Sequence, residues 1–512
     1  MTQSILIIGA GIAGLSAGCY GQINGYQTQI FELHDKPGGL CTAWKRSGRS
    51  SSGSYTFDGC IEWLVGTKDG SGMNAIWREL GATQGRPIVD HDEYMRFEGL
   101  DGRTLVLYAN AERTRQHLKE LAPADARQID RLCNAIRRLA AMGEVMGGDP
   151  GFWGRIWAGL RMVALAPTMI QYSKLSVKEL AARFSDPFLR ECLLAIFGIP
   201  ESSAIATLMP MACMHGGDGG YPIGGSLEFA RAIERRYLEL GGEIRYRSRV
   251  AEILVETDPE GQDRAVGVRL SDGTEHRADV VLSAADGHAT LFELLKGRYV
   301  SDEVRGYYEE WPIWQPIVQV SLGVARDLSD EPHMLSLPLR KPIVIAGEER
   351  RWIKVKHHCH DPTMAPKNKS VLTLVFRSNH AYWKSLSGEP ERYEAEKKEI
   401  AIRAIEQLET RFPGITDQVE VVDVATPLTT ERYTGNWQGS EMGWLATATT
   451  MRMMGGKGMD KTLPGLDRFY MAGQWAEPGG GLPPAATSGR DVIGMICKGD
   501  GKTFRSSLPA VS

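Results

Sequence analysis

The 512-residue chain has no large charge imbalance: 59 lysines and arginines face 63 acidic side chains, a net charge of −4. No bulk electrostatic pull toward nucleic acid follows from such a balance. Cysteine is sparse as well. The eight cysteines, Cys19, Cys41, Cys60, Cys133, Cys192, Cys213, Cys359 and Cys497, include no C-x-x-C pair. They read as reduced thiols in a reducing compartment. No repeat and no long low-complexity tract is present. No apolar run reaches the ~20 residues a spanning helix needs. The nearest, "IWAGLRMVALAPTMI" (156–170), is interrupted by Arg161 and Pro167. The opening "MTQSILIIGA" carries neither a basic region nor a cleavage site, which predicts a mature, cytoplasmic start.

What is present begins at residue 4. Residues 4–8 are nearly all apolar, as expected of a strand buried on both faces of a parallel sheet. A glycine-rich turn comes next, then a helical pattern over about 12–24 that stops at Asn24-Gly25, then a second strand in "YQTQIFEL" (26–33). Gly9, Gly11 and Gly14 form G-x-G-x-x-G between strand and helix. The first glycine permits the turn, the second lets backbone approach a pyrophosphate, and the third lets helix and strand pack closely. The helix start, with Ile12 and Ala13, offers N–H groups and a positive dipole end to the phosphates. Glu32 ends the second strand, where a carboxylate accepts ribose hydroxyls and repels the 2′-phosphate of NADP. Gly38-Gly39, followed by Leu40 and Cys41, supplies a second loop able to approach the cofactor. NAD domains generally lack that doublet, and no second strand–GxGxxG–helix unit occurs in the chain. The turn is therefore assigned to FAD, with no separate nicotinamide domain.

The middle of the chain, about 105–200, has helical spacing, as in "RQIDRLCNAIRRLAAM". Beyond "HGGDGGYPIGGS" (215–226) come a helix and then strand–turn–strand patterns with a hairpin signal at Asp272-Gly273. More strands are expected over about 313–377, and a charged amphipathic helix over 390–412. The C-terminal "MAGQWAEPGGGLPPAATSGRDV" (471–492) reads as strand, glycine-rich loop and helix. Gly473 ends the strand, and Gly479-Gly480-Gly481 clears room for a flat ring. Pro483 and Pro484 follow Leu482 at a helix start, where a missing N–H does no harm. That N-terminus suits the N1/C2 edge of a flavin, which gains negative charge on reduction.

Taken together, "IIGAGIAGLSAG", "KPGGLCTAWKRSG", "YTFDGCIEWLVG", "GGYPIGGSLEFARAI", "ADVVLSAADGHATL", "HDPTMAPKNKSVL", "RYTGNWQGSEMGW" and the C-terminal loop resemble the phytoene desaturase, carotenoid isomerase and retinol saturase family of FAD-dependent oxidoreductases. The resemblance implies an α/β fold. In it, a Rossmann-like FAD domain of the amine oxidase/carotenoid desaturase type (1–70, 215–300, 425–512) is interleaved with a substrate domain of mixed sheet and helices (71–214, 301–424). It implies that Val250 lies at the adenine and that Gly473, Gly481 and Leu482 lie at the flavin end. Where carotenoid desaturases have a Thr-His-Pro-Gly type sequence, this chain has Trp475-Ala476-Glu477-Pro478-Gly479. The implied activity is desaturation, saturation or double-bond isomerisation of a hydrophobic unsaturated substrate, with oxygen or a quinone as electron acceptor. Two alternatives within the superfamily are an amine-oxidase-like flavoenzyme and a non-catalytic lipid or prenyl carrier. Loop 471–492 has no cysteine for a covalent link, so the FAD is expected to be non-covalent.

Three side chains are candidates for acid–base chemistry. Glu62 follows "FDGC", a segment near the flavin in relatives; it is an acid or base, or else a paired loop carboxylate. His215 precedes the glycine-rich turn and either faces the cavity or is structural. Glu477 lies in the flavin loop and either orients water or substrate or makes a local hydrogen bond. "HHCHD" (357–361) invites a metal reading, because on a strand His358 and His360 share a face. With no further ligands near, none is assigned. "FWGRIWAGLRMVALAPTMIQY" (152–172) reads as a lid touching a membrane or lining a tunnel, or as a buried helix.

Overall fold

The structure is a computed structural model that describes residues 2–48, 53–144, 151–453, 459–477 and 479–508; the side chains of 144, 151–158 and 453 lie outside the description. Pro478 and the side chains of 152–158, at the start of the stretch 152–172, are therefore outside the described residues.

The apolar run near the N-terminus becomes the strand Ser4–Ile8, the centre of a five-stranded sheet. Its order across the sheet is Phe469–Met471, Val280–Ser283, Ser4–Ile8, Gln27–Phe31 and Glu243–Arg245, and every pairing is parallel. Strands from the two ends of the chain thus lie within one sheet. The central strand is buried on both faces, which explains why it reads as continuously apolar rather than alternating. Helices Ile12–Ile23, Gly225–Glu239 and Leu482–Gly499 pack on this sheet.

The closest helix pairing joins Ile12–Ile23 to Leu482–Gly499. A Cβ at Gly489 would collide with the Ala13 carbonyl and lie 2.9 Å from the Ala17 nitrogen. Glycine is needed there so that the two backbones can approach. The Ser16 hydroxyl donates to the Ala486 carbonyl at 2.7 Å across the same contact.

A smaller sheet comes next: the hairpin Val250–Thr257 and Asp263–Leu270, then Glu275–Arg277, with Leu466–Asp467 at its edge. Asp272-Gly273 makes the expected turn, with Gly273 at φ 88°.

A seven-stranded mixed sheet forms the other large layer. Its order is Val419–Ala425, Ile317–Val324, Ser370–Arg377, Glu348–His357, Met334–Ile345, Glu93–Glu98 and Thr104–Tyr108. One face carries Val318, Val320, Leu322, Ile353, Val355, Leu372 and Leu374, packed with Ala401, Ala404 and Leu408 of helix Pro390–Arg411. That helix is the charged amphipathic one read from sequence. The helices of 111–215 form a third core around Leu132, Ile136, Leu189 and Leu208.

The 357–361 histidines depart from the expected strand. The strand ends at His357, and Asp361 closes a turn by donating its N–H to the His358 carbonyl at 2.9 Å. His360 instead meets residues from two other segments. His91 and His333 stack at 3.7 Å between centroids, with the edge of His360 at 4.5 Å from His91. His91 Nε2, His333 Nε2 and both nitrogens of His358 and His360 are buried without hydrogen-bond partners. Among the described residues no group of three or more His, Cys, Asp or Glu side chains is arranged to hold a metal ion. Burial pushes His91 and His358 down to about 4 and His360 to about 2. The neighbouring imidazoles add to this, as does Lys356 for His358, whereas Asp58 and Asp361 oppose it there.

Gly489→Ala should destabilise the protein by about 1–3 kcal/mol through overpacking, read as a lower thermal midpoint. In acid, the unfolded chain binds protons below the ordinary histidine value of 6.5 while the folded cluster refuses them. Stability contributed by His91 and His358 is complete above pH 6.5 and is lost as the pH falls toward 4, by about 1.4 kcal/mol per pH unit for each histidine. Denaturant midpoints measured across that range should show the slope, and His91→Phe should flatten it.

Candidate active site

The glycine turn is shaped by its own hydrogen bonds. Gly9 has φ 96° and donates to the Phe31 carbonyl at 2.8 Å, which bends the chain out of the first strand. A Cβ at Gly14 would collide with the Gly9 carbonyl, so helix and turn need glycine there. Gly11 is different. Its φ is −68°, which any residue adopts, and a Cβ added to it would meet no protein atom within 4 Å. The protein does not itself require glycine at that position. The space in front of Gly11, at the start of helix Ile12–Ile23, is a cradle sized for a phosphate group.

Glu32 sits beside this cradle and is buried. Its carboxylate accepts the Ala10 N–H at 2.7 Å and the His34 N–H at 2.8 Å. Burial raises its pKa while these N–H donors oppose the rise. The doublet glycines complete the enclosure. Gly38 has φ 109° and donates to the Ala10 carbonyl at 2.9 Å, and a backbone bridge joins it to Gly11. Leu40 and Cys41 continue this loop, with the Cys41 N–H bonded back to the Gly38 carbonyl at 2.9 Å. The segment carrying Val250 is docked on the same acid, because Ser248 N–H donates to the Glu32 carbonyl at 2.8 Å. Gly9, Gly11, Gly14, Glu32, Gly38, Gly39 and the approach to Val250 are therefore gathered around one end of the parallel sheet.

The C-terminal loop reaches that sheet from its last strand. Gly473 has φ 106°, donates to Ser488 Oγ at 3.0 Å, and places its Cβ direction 3.7 Å from Ala13. The loop thus lies against the start of the first helix. Gly480 has φ 63° with Met442 within 2.8 Å of an added Cβ, and Gly481 has φ 84° and begins helix Leu482–Gly499. Pro483 and Pro484 stand at the first helical positions, as their missing N–H groups allow. Beneath the loop, Trp475 is buried against Trp444, Trp437 and Tyr308, and its indole N–H donates to Asn436 Oδ1 at 3.1 Å. Asp286, buried where Trp437 and Ala289 donate their N–H groups to it, is pushed up to about 6 by burial.

Of the two readings for Glu62, its surroundings provide the paired carboxylate. Lys354 Nζ lies 3.0 Å from one of its oxygens and Lys356 Nζ lies 2.8 Å from the other. Burial pushes the Glu62 carboxyl up, but the two ammonium charges more than offset this and hold it far below the usual range. The pair favours its anionic form. Lys354 is pushed down by burial, with Glu62 only partly compensating and Lys356 repelling, whereas Glu62 overcomes burial at Lys356.

Glu477 is ion-paired to Lys461 at 2.7 Å. His215 accepts the Ala111 N–H through Nδ1 at 3.3 Å, which ties the end of helix Ala204–His215 to the start of helix Ala111–Leu121. The structure therefore gives both residues local partners and does not bring them together with Glu62. Cys41 and Cys60 are in side-chain contact as free thiols. Burial, with Cys60 adding to it, raises Cys41 well above its ordinary value, which disfavours the reactive thiolate.

The residues that sequence reading missed are Lys354 and Lys356. Their spacing, "KVK" between apolar neighbours, is ordinary alternation. Only the sheet pairing shows that this polar side faces inward.

The whole chain matches known proteins. A family model described as flavin containing amine oxidoreductase covers residues 12–492. Prolycopene isomerase of Arabidopsis thaliana is 24% identical over 94% of this chain and 81% of its own. The neurosporene-forming phytoene desaturase of Rhodobacter capsulatus is 25% identical over 96% of this chain and 93% of its own. Among solved structures, a double mutant of putrescine oxidase superposes with a TM-score of 0.63 at 14% identity, covering 97% of this chain and 99% of that one. The glycine cradle, the buried Glu32 beside it and the C-terminal glycine loop fit FAD, and the chain belongs to the flavin containing amine oxidoreductase family.

Proposed function

We propose that this protein is an oxidoreductase acting on C–C bonds of a hydrophobic unsaturated chain, by desaturation, saturation or double-bond isomerisation, with FAD held non-covalently. The observation that carries the reading is the intact cradle at Gly11 and Glu32. It occurs in a chain that parallels, over nearly its full length, relatives named for carotenoid desaturation and isomerisation. When bound, FAD supplies hydride and electron exchange. The protein's part is then to hold, orient and exclude water. Such a substrate needs little acid–base help, in keeping with Glu62 and Glu477 being engaged in ion pairs. The chain divides into cofactor segments 1–70, 215–300 and 425–512 and substrate segments 71–214 and 301–424, in register with the two large sheets. In desaturation, oxygen or a quinone serves as electron acceptor.

No helix among the described residues is long and apolar enough to cross a membrane. We take the protein to be cytoplasmic and to touch membranes through helix Gly151–Ser173. On that helix Leu160, Met162, Val163 and Ile170 are exposed while Leu165 and Tyr172 turn inward. An exposed apolar row of this kind suits the interface of a bilayer, where a greasy substrate resides.

Three measurements test this. Glu32→Ala should weaken FAD binding by about tenfold or more, since a charged hydrogen-bond acceptor is lost, and the purified protein should lose its yellow colour. Anaerobic incubation of the FAD-loaded protein with polyenes, unsaturated lipids and amines should bleach the flavin or shift double bonds with the first two classes. Bleaching by amines alone would favour the amine-oxidase reading, and a protein that takes up no FAD would favour a lipid carrier. Leu160→Glu with Val163→Glu should abolish co-sedimentation with phospholipid vesicles while leaving FAD content unchanged.

A further inference from the structure

The seven-stranded sheet has two unlike faces. One is the apolar face under helix Pro390–Arg411. On the other, strand pairing sets Lys354 opposite Ser336 and Val375, and Lys356 opposite Met334 and Thr373, with Ser321 beyond Thr373. This second face is also covered: Ser321, Ser336 and Thr373 are fully or almost fully buried, and Lys356 is 8% exposed. A buried sheet face bearing lysines and hydroxyls, rather than valines and leucines, is costly unless its polar groups find partners.

The partners are incomplete. The Thr373 hydroxyl is buried and has no hydrogen-bond partner. Each ammonium has three N–H donors, and among the described residues Glu62 is the acceptor for both. Two lysines on one carboxylate leave ammonium N–H donors without an acceptor. The nearby carboxylates do not take up these donors, because their oxygens are engaged elsewhere. Arg377 pairs with Glu441 at 3.0 Å. Asp58 accepts N–H groups from Cys60, Ile61 and Ser226 and the Ser226 hydroxyl. The place also adjoins the cofactor loop: Glu441 is followed by Met442, and Met442 lies within 2.8 Å of a Cβ built on Gly480.

A hydrocarbon has no use for such a face. We infer that Lys354, Lys356 and Thr373 form a subsite for the carboxylate end of an amphipathic unsaturated substrate. The carboxylate would accept hydrogen bonds from the remaining ammonium N–H groups and from the Thr373 hydroxyl. This deepens the reading of a hydrophobic unsaturated substrate and rests on it.

The test is equilibrium dialysis of FAD-loaded protein at pH 7.5 against two matched pairs, retinoic acid with its methyl ester and linolenic acid with its methyl ester. In at least one pair the acid should bind about tenfold or more tighter than the ester, as a charge-assisted hydrogen bond warrants. Lys356→Met should bring the ratio close to one without weakening ester binding. Thr373→Val, a near-isosteric change, should lower it by a smaller factor, so the inference stays testable if the lysine variant fails to fold. Equal binding of acid and ester in both pairs would overturn the carboxylate subsite and leave the hydrophobic-substrate reading standing. Binding of neither member of either pair would overturn both. A ratio unchanged in the lysine and threonine variants would show that the preference arises elsewhere and would overturn the subsite.

Discussion

The contact between the first helix and the last helix is the constraint on which the cofactor site depends. Gly489 lets helix Leu482–Gly499 lie directly on the backbone of Ala13 and Ala17, and Ser16 bonds to Ala486 across the join. Both helices begin at glycine turns, one at Gly11 and one at Gly481. Packing them side by side brings two glycine-rich N-termini, from opposite ends of the chain, to the same edge of the parallel sheet. Two helix dipoles then converge on one small volume. A dinucleotide with a charged centre and an electron-accepting ring suits that field. The loop between the last strand and last helix is held by the Gly473–Ser488 bond, which fixes it against Ala13.

The second large sheet solves a different problem. Its apolar face is closed by a long helix in the ordinary way. Its other face meets the turn after strand Ser54–Asp58 through Glu62, which reaches across to Lys354 and Lys356. A buried ion triad is weak evidence for stability, since taking charges from water costs as much as the attraction returns. Its presence at the junction of the two halves is better understood as a feature of the site than of the scaffold. Gln319 strengthens the same junction by donating to the Asp58 carbonyl at 3.2 Å.

The histidines show how sequence proximity misleads. Residues 357–361 suggest two histidines on one strand face, but the chain turns after His357, and His358 and His360 meet at 5.8 Å between tilted rings. The cluster that forms instead draws His91 and His333 from distant segments. Parallel stacking of His91 on His333 turns imidazole faces, not nitrogen lone pairs, toward each other.

Much of the fold was legible because its signals are local. A buried parallel strand must be apolar throughout, and a pyrophosphate turn must be glycine where backbone meets ligand or helix. The turns at Gly9–Gly14 and Gly38 could therefore be placed from spacing alone, as could the strand–loop–helix of Gly473 and Gly481 at the other end. The roles of Glu62, Glu477 and His215 were not legible. A carboxylate or imidazole is an acid, a base or a structural partner according to what stands within about 3 Å. Those neighbours, Lys354 and Lys356, Lys461, and the Ala111 N–H, lie up to several hundred residues away or on another element. The places where the glycine turns fall are set in the amino-acid order, because backbone conformation there depends on the residues of the turn. That both sides of the strand Glu348–His357 are covered emerges from the fold alone, because strand alternation marks two sides and the packing of whole layers sets what lies on each.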